Sequence, residues 1–241
     1  MELLAISLSG IREVEYQGRR IETGIYKQPV TGLVRVTVSG LDGDVQADRK
    51  HHGGADKAVY AYTVENYRFW ERELGKILPF GQLGENFAVN GMPDEEVHIG
   101  DVFSIGEIIV QVTQPRVPCF KLGIKMGDPG FVARFHHSGR VGFYLRVLQE
   151  GVVTAGDPIE LLEADPAQLC ISVAMLALTK GPRQQEIISR ALAISALSQA
   201  WREDLQTRQS GCTRGTGFSQ GKETSLGVSQ AGLRCSTTTV V

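Results

Sequence analysis

The chain has 241 residues, of which 42% are hydrophobic and 22% are charged, and its formal net charge is −2 at pH 7. This composition is typical of a globular protein, and the small net charge argues against binding to a nucleic acid polymer or an anionic membrane surface. No apolar run approaches the roughly 20 residues of a membrane-spanning helix, and the acidic N-terminus does not resemble a secretory signal. Four cysteines without paired spacing favour a reduced, cytoplasmic protein rather than a disulfide framework or a zinc site.

Residues 1–163 contain many short β-type segments separated by turns that contain glycine. Alternating or β-branched apolar residues predict strands at 33–38 and 59–63 and a hairpin at 97–113. One amphipathic helix is predicted over 64–74, with Thr63 as its N-cap. We therefore expect a mainly β fold, a closed or nearly closed β-barrel with helical insertions, because closure removes exposed strand edges.

The periodicity changes at Asp165-Pro166, where an N-cap residue precedes a proline suited to the first helical position. Residues 164–207 then predict three short helices, the last with a stripe of apolar residues around Trp201. These helices form a small C-terminal appendage in the predicted architecture. Residues 208–241 are rich in Gly, Ser and Thr without periodicity and are expected to be an atypical tail, either flexible or foreign to the natural chain.

A cysteine stands between two prolines and two basic residues, directly after a predicted strand. Pro115 and Pro118 fix the backbone on either side and so stiffen the segment that presents Cys119. Arg116 and Lys121 supply positive charge, which favours the thiolate, the form that attacks electrophiles and binds soft metals. The alternative is a buried cysteine that acts as a small hydrophobic residue.

The most polar stretch, residues 40–60, is too rich in glycine for a core element and too long for a simple hairpin loop. Gly53 and Gly54 can bring backbone amides close to an anion, or they can serve only as turns in a solvated loop. Asp44 and His52, with Asp48, are residue types that bind divalent metals, but their spacing matches no metal motif.

Two further polar features precede the cysteine segment. Glu85 and Asn86 lie between a glycine-rich turn and a predicted strand, where they either cap the turn or line a pocket. Lys27 stands two residues before a proline, in the segment that follows a predicted hairpin over residues 14–21.

Five separated segments, in this order, resemble the MOSC domain, which is named for the C-terminal part of molybdenum cofactor sulfurases. The likeness covers about residues 1–163, and the helical extension resembles that of the YiiM-like bacterial branch, to about residue 207. The segments that carry the resemblance are 40–44, 48–60, 84–87, 99–101 and 114–119.

The resemblance implies a barrel that binds the molybdenum cofactor, a molybdopterin, with Cys119 as the metal ligand. It also implies reduction of N-hydroxylated compounds, including N-hydroxylated nucleobases such as 6-hydroxylaminopurine, and so the detoxification of base analogues. Pyridoxal phosphate binding is a further family-level expectation. The residues expected at the site are Cys119, His52 and Asp44 for catalysis and Lys27, Gly53, Gly54, Glu85, Asn86, Arg116 and Lys121 for cofactor binding.

The chain contains no dinucleotide-binding glycine motif and no cluster-type cysteine spacing. A reductase of this kind would therefore receive electrons from an external flavin-type reductase, and it could act as a homodimer. Two other classes stay open. One is a sulfur carrier that holds a persulfide on Cys119 for cofactor biosynthesis, and the other is an interaction protein that docks through its helices.

Overall fold

Thirteen β-strands and six α-helices lie in residues 1–45 and 54–211, the part of the chain that the computed structural model describes. The strands are β1 Glu2–Leu8, β2 Arg12–Tyr16, β3 Arg19–Thr23, β4 Gln28–Val30, β5 Val34–Thr37, β6 Gly40–Leu41, β7 Val59–Thr63, β8 Phe87–Asn90, β9 Val102–Ile105, β10 Ile108–Pro115, β11 Phe143–Gln149, β12 Gly151–Val153 and β13 Ile159–Glu163. The helices are α1 Val64–Leu74, α2 Phe120–Met126, α3 Phe131–His137, α4 Ile171–Ala174, α5 Gln184–Ala193 and α6 Gln199–Gln209, with 3₁₀ helices at Ala55–Lys57 and Met175–Leu178.

Eight strands form the main sheet, in the order β13-β9-β10-β11-β7-β8-β1-β4. Their pairings are antiparallel except for β7 and β8, which run parallel because α1 and the following loop connect them as a crossover. A three-stranded sheet, β12-β5-β6, and the β2–β3 hairpin complete the β-structure. The mainly β prediction is therefore confirmed for the described residues.

The predicted closed barrel is not formed. The main sheet is open, with β4 and β13 as its edge strands. The residues that lead into β13 meet the start of β1 through an isolated bridge between Glu2 and Pro158 and a few backbone hydrogen bonds. Closure fails because β1 is already paired with β8 along one edge, while β4 occupies the end of its other edge from Ile6 to Leu8. Too little free edge is left on β1 for a continuous ladder with β13.

Helix α1 begins and ends as its sequence predicts. The Thr63 side chain accepts a hydrogen bond from the Glu65 amide at the N-terminus. Gly75 ends the helix with φ of 63°, a left-handed conformation that glycine adopts without steric cost. Both Tyr67 and Trp70 are buried: Tyr67 packs against Tyr62 of β7, and Trp70 packs against Phe131 and Phe135 of α3.

The C-terminal region differs from the predicted set of three helices. The apolar run 169–178, which predicts the first of these helices, forms a four-residue α-helix followed by a 3₁₀ helix, and the described chain has six α-helices in all. The Asp165 carboxylate accepts a hydrogen bond from the Ala167 amide and so closes a turn instead of starting a helix. Helix α4 starts only at Ile171, whose amide hydrogen-bonds to the Val97 carbonyl. The backbone of residues 169–172 pairs with the loop before β9 in this way, which shortens the helix.

One hydrophobic cluster joins the sheet to the C-terminal helices. It contains strand residues such as Val112 and Phe143 together with Ile187, Trp201 and Leu205, all of them buried. The predicted apolar stripe around Trp201 is thus part of this core. Within the described ranges, no helix has the length and apolar character needed to cross a bilayer. Division of the chain at residues 163 and 207 stays a prediction, and residues 212–241 lie outside the described residues.

Candidate active site

A cavity with about 660 Å³ of open space, its mouth included, lies beside Cys119. Its walls come from the segment after β3, the turn after β6, the start of β7, the loop before β8, the segment after β10, and β11. The lining residues predicted from sequence are Lys27, Asp44, Asn86, Arg116, Cys119 and Lys121.

Cys119 is half-buried on the cavity wall and directly precedes helix α2. Strand β10 ends at Pro115, and the next three residues carry the chain out of the sheet to the cysteine. The Cys119 carbonyl accepts a hydrogen bond from the Leu122 amide, which orders the first turn after it. The thiol is therefore presented to the cavity by a fixed backbone, and it is not sealed in the apolar core.

Arg116 places a buried guanidinium next to this thiol. The residue is 6% exposed, and its Nη1 donates hydrogen bonds to the Leu83 carbonyl at 2.7 Å and to the Tyr60 hydroxyl at 3.1 Å. The guanidinium carbon also lies 4.5 Å from the centre of the Tyr60 ring. Ion pairs found in the described part of the chain do not include Arg116. A buried cation without a carboxylate partner favours an anionic ligand in the cavity.

A buried ion pair forms another part of the wall. Lys27 Nζ lies 2.5 Å from both carboxylate oxygens of Asp44, and the two side chains are 8% and 5% exposed. Asn86 Nδ2 donates to Asp44 at 2.9 Å, while Asn86 Oδ1 accepts a hydrogen bond from the Tyr60 amide at 3.1 Å. Burial lowers the pKa of Lys27, and the adjacent Asp44 carboxylate opposes that change. The Lys27 ammonium is thus paired with Asp44 in this structure and does not point to a separate phosphate site.

Two predicted cofactor residues have structural partners. Lys121 lines the cavity, but its Nζ donates to the Glu22 carbonyl at 3.0 Å and so attaches helix α2 to the β2–β3 hairpin. Glu85 is fully buried and does not line the cavity. Its carboxylate accepts hydrogen bonds from the Tyr67 hydroxyl and from the amides of Gly81 and Leu83. Burial raises the pKa of Glu85, while these donors oppose the change.

Three predicted residues belong to the polar loop. Gly54 is described, is exposed and does not line the cavity, and its carbonyl accepts a hydrogen bond from the Lys57 amide. His52 and Gly53 lie outside the described residues. Their predicted roles in catalysis and anion binding stay predictions.

The sequence interpretation missed two tyrosines of the wall, Tyr60 and Tyr144. They lie opposite each other on the neighbouring strands β7 and β11, with ring centres 5.4 Å apart. Burial raises the pKa of both, so both hydroxyls stay protonated as hydrogen-bond donors near neutral pH. Only the pairing of β7 with β11 brings them together, and these strands are far apart in the chain.

The residues present suit a cofactor that combines an anionic group with a thiophilic metal. The Cys119 sulfur is a suitable soft ligand, and Arg116 offers charge that no carboxylate in the described chain neutralises. Within the described ranges, no group of three or more His, Cys, Asp or Glu residues is placed to hold a metal ion. Among the residues that the structure describes, Cys119 therefore belongs to no cluster of three or more such ligands.

Comparison with known proteins identifies the family. Residues 48–160 match the model of the MOSC domain. The uncharacterized protein YflK of Bacillus subtilis is 40% identical over 207 residues, which are 86% of this chain and 94% of YflK. A protein of Gibberella moniliformis named Reductase is 37% identical over 150 residues, which are 61% of this chain and 27% of that protein.

A solved structure agrees with the sequence match. The crystal structure of YiiM from Geobacillus stearothermophilus superposes with a TM-score of 0.73 at 31% identity, covering 86% of this chain and 98% of that one. MOSC domains are associated with binding of the molybdenum cofactor at the level of the family. The chain belongs to the MOSC-domain family, in its YiiM-like branch.

Proposed function

We propose that this protein binds the molybdenum cofactor in the described cavity and reduces N-hydroxylated compounds, with Cys119 as the protein ligand to molybdenum. One observation carries the proposal: a half-buried cysteine shares a cavity wall with a buried arginine that has no carboxylate partner in the described chain. The relative named Reductase supports the class of reaction. Binding of pyridoxal phosphate stays an expectation of the family resemblance.

The residues of the wall divide into three roles. Arg116 would hold an anionic group of the cofactor, since no carboxylate among the described residues pairs with it, and Lys121 would add charge on the cavity wall. Asn86 offers an amide at the base of the cavity, although it already binds Asp44. Glu85 would act indirectly, because its hydrogen bonds hold the loop that precedes Asn86.

Cleavage of an N–OH bond consumes two electrons and two protons and yields an N–H bond and water. The bound cofactor would supply the two electrons. The hydroxyl of Tyr144 and the Lys27 ammonium, paired with Asp44, are proton-bearing groups on the cavity wall. The Asp44 carboxylate would favour the protonated form of Lys27, and Asp44 would take part in catalysis through this ion pair. A role for His52 as an additional proton carrier stays a prediction.

N-hydroxylated nucleobases are the proposed substrate class, which would make the activity a detoxification of base analogues. The rings of Tyr60 and Tyr144, which are tilted by 44° to each other, add aromatic groups to the lining of the cavity. Electrons would come from an external flavin-type reductase. A homodimer and a cytoplasmic location are part of the proposal.

Metal analysis tests the cofactor assignment most directly. The full chain, purified from cells with intact cofactor synthesis, should contain molybdenum, and Cys119→Ala should lose it. Cys170 is fully buried and gives a matched control, because Cys170→Ala removes a thiol outside the cavity and should keep the metal. Wild-type protein without molybdenum, or a Cys119→Ala variant that retains it, would contradict the proposal.

A second assay separates the reductase from the sulfur carrier. Both functions use the exposed part of the Cys119 thiol beside positive charge, so the structure is compatible with each. Cofactor-loaded protein, supplied with a flavoprotein reductase and 6-hydroxylaminopurine, should form adenine. A carrier would instead form no adenine, and mass spectrometry would find an extra sulfur atom on the peptide that contains Cys119.

A further inference from the structure

We propose that Asp94, which lies outside the cavity, is a positioning residue that orients the Arg116 guanidinium by holding the backbone amides of Val141 and Gly142. Asp94 lies in the loop between β8 and β9 and is fully buried. Its importance for catalysis rests on the proposed function. The geometry that links Asp94 to Arg116 is independent of that function, and so is the alkylation test described below.

The first link joins the carboxylate to the loop before β11. One oxygen of Asp94, Oδ2, accepts hydrogen bonds from the amides of Val141 and Gly142, each at 2.9 Å. The backbone of Asp94 is held as well, because its carbonyl accepts a hydrogen bond from the Ser172 amide at 3.0 Å. Two amides that converge on one buried carboxylate oxygen fix the direction of that peptide segment.

The second link runs from the same two residues to the cavity. The Gly142 carbonyl accepts a hydrogen bond from the Arg116 amide at 3.1 Å. The Val141 carbonyl accepts a hydrogen bond from the Tyr60 hydroxyl at 2.8 Å, and that hydroxyl in turn accepts one from Arg116 Nη1 at 3.1 Å. Both the backbone and the guanidinium of Arg116 are thus tied to the segment that Asp94 holds.

Glycine at position 142 is part of this arrangement. Its φ is +68°, and a Cβ atom there would clash with the Ala61 carbonyl of β7. The segment therefore passes closely over β7, and its amides point away from that strand to Asp94. A small rotation of these peptides would move the Val141 carbonyl, and with it the Tyr60 hydroxyl that binds Arg116.

The two oxygens of Asp94 differ in their contacts, and this difference allows a choice of substitutions. Oδ1 and Asn66 Nδ2 are buried polar atoms without a hydrogen-bond partner in the described chain. Since Oδ2 alone receives the two amides, asparagine can keep both bonds through its single carbonyl oxygen, whereas alanine removes them. The pair of substitutions therefore separates the positioning contact from the charge.

Alkylation of Cys119 by the anionic reagent iodoacetate, taken relative to alkylation by neutral iodoacetamide, reports on Arg116 without any cofactor. Arg116 and Cys119 share the cavity wall, so a guanidinium held beside the thiol attracts the anionic reagent. In the full chain from cells that do not make the cofactor, Asp94→Ala should slow this relative alkylation by about fivefold, whereas Asp94→Asn should stay within about twofold of wild type. The rate is followed by mass spectrometry of the Cys119 peptide.

Asp101 is the matched control. It is 2% exposed, and its carboxylate accepts hydrogen bonds from the His98 and Asp165 amides, both at 2.9 Å and neither of them on the cavity wall. Asp101→Ala should reduce thermal stability but leave the Cys119 alkylation rate within about twofold of wild type. Equal slowing in Asp101→Ala would show a general loss of structure and overturn the proposal.

A double substitution completes the test. If Asp94 acts through Arg116, Asp94→Ala should change alkylation by less than about twofold in an Arg116→Lys background. Tyr60→Phe cuts the same link at its other end and should slow alkylation even if Asp94→Ala does not fold. A wild-type alkylation rate in folded Asp94→Ala or in Tyr60→Phe would refute the positioning role. Absence of molybdenum or of reductase activity would refute the proposed function alone.

Discussion

Removal of the Asp44 carboxylate should destabilise the protein strongly, by an amount that depends on pH. Asp44→Ala leaves the Lys27 ammonium buried without its partner, and the Ser9 amide and Asn86 Nδ2 lose an acceptor. Loss of one partner from a buried ion pair costs about 3–5 kcal/mol. The cost has an upper limit, because the lysine can give up its proton.

That limit can be worked out from the ordinary pKa of lysine, 10.5. At pH 7, deprotonation of Lys27 costs about 1.4 kcal/mol for each of the 3.5 pH units below that value, or about 5 kcal/mol. Burial already lowers the pKa of Lys27 in wild type, and loss of the Asp44 carboxylate, which raises that pKa, lowers it further. The folded variant therefore loses this proton at a lower pH than wild type does, and its free energy of unfolding should rise with pH relative to wild type. Where Lys27 is neutral in the folded variant but charged in wild type, the deficit should shrink by about 1.4 kcal/mol for each pH unit.

Urea denaturation followed by tryptophan fluorescence measures this difference, since Trp70 and Trp201 are both buried. Profiles at about pH 7 and pH 9 should show a smaller deficit at the higher pH. Lys27→Met combined with Asp44→Ala should recover about 2 kcal/mol at neutral pH, because no charge is then buried. A deficit that is equal at both pH values, or a double variant no more stable than the single one, would refute the reasoning.

Three further outcomes are expected. Gly142→Ala should lower the free energy of unfolding by about 3 kcal/mol, because φ is +68° and the new Cβ clashes with backbone. Gly127→Ala, at a similar φ of +67° but in open space, should lower it by about 1 kcal/mol. Urea denaturation of the two variants measures the difference. Burial raises the pKa of Asp94 from 3.8 to about 7, so the folded state binds the extra proton and the stability of wild type should fall as pH rises across that window. Asp94→Asn should flatten this dependence in thermal melts, and an unchanged slope would contradict the assignment. Tyr16→Ala removes the ring contact with Phe120, 5.6 Å between centres, and should speed proteolysis of the β2–β3 hairpin while cleavage elsewhere stays unchanged.

Local structure was predictable where a few neighbouring residues decide it. Thr63 and Gly75 carry the capping chemistry of α1, so the helix over 64–74 followed from the sequence. The prolines around Cys119 likewise predicted a stiff segment after a strand, and the structure places the thiol on a cavity wall. These features depend on residues close together in the chain.

Long-range pairing decided the features that were missed. Tyr60 and Tyr144 meet through the register of β7 with β11, which alternation of apolar residues does not encode. The open sheet follows in the same way from the competition of β4 and β13 for one edge of β1.

Glu85 and Asn86 show how adjacent residues can differ in role. Consecutive residues in an extended segment point to opposite sides. Asn86 therefore reaches the cavity and Asp44, while Glu85 faces Tyr67 and the preceding turn. The sequence places both polar residues between a turn and a strand. It does not show which of the two side chains faces the cavity, because that depends on which face of the sheet carries the cavity.

The distribution of the cavity walls has a practical consequence for cloning. Thr23, Ile25, Lys27 and Asp44 all line the cavity, yet all four precede residue 48, where the match to the family model starts. A clone trimmed to residues 48–160 would remove β1 and β4 from one end of the main sheet, together with the part of the cavity wall that precedes residue 48. Expression and ligand-soaking experiments on this protein should therefore start from its first residue.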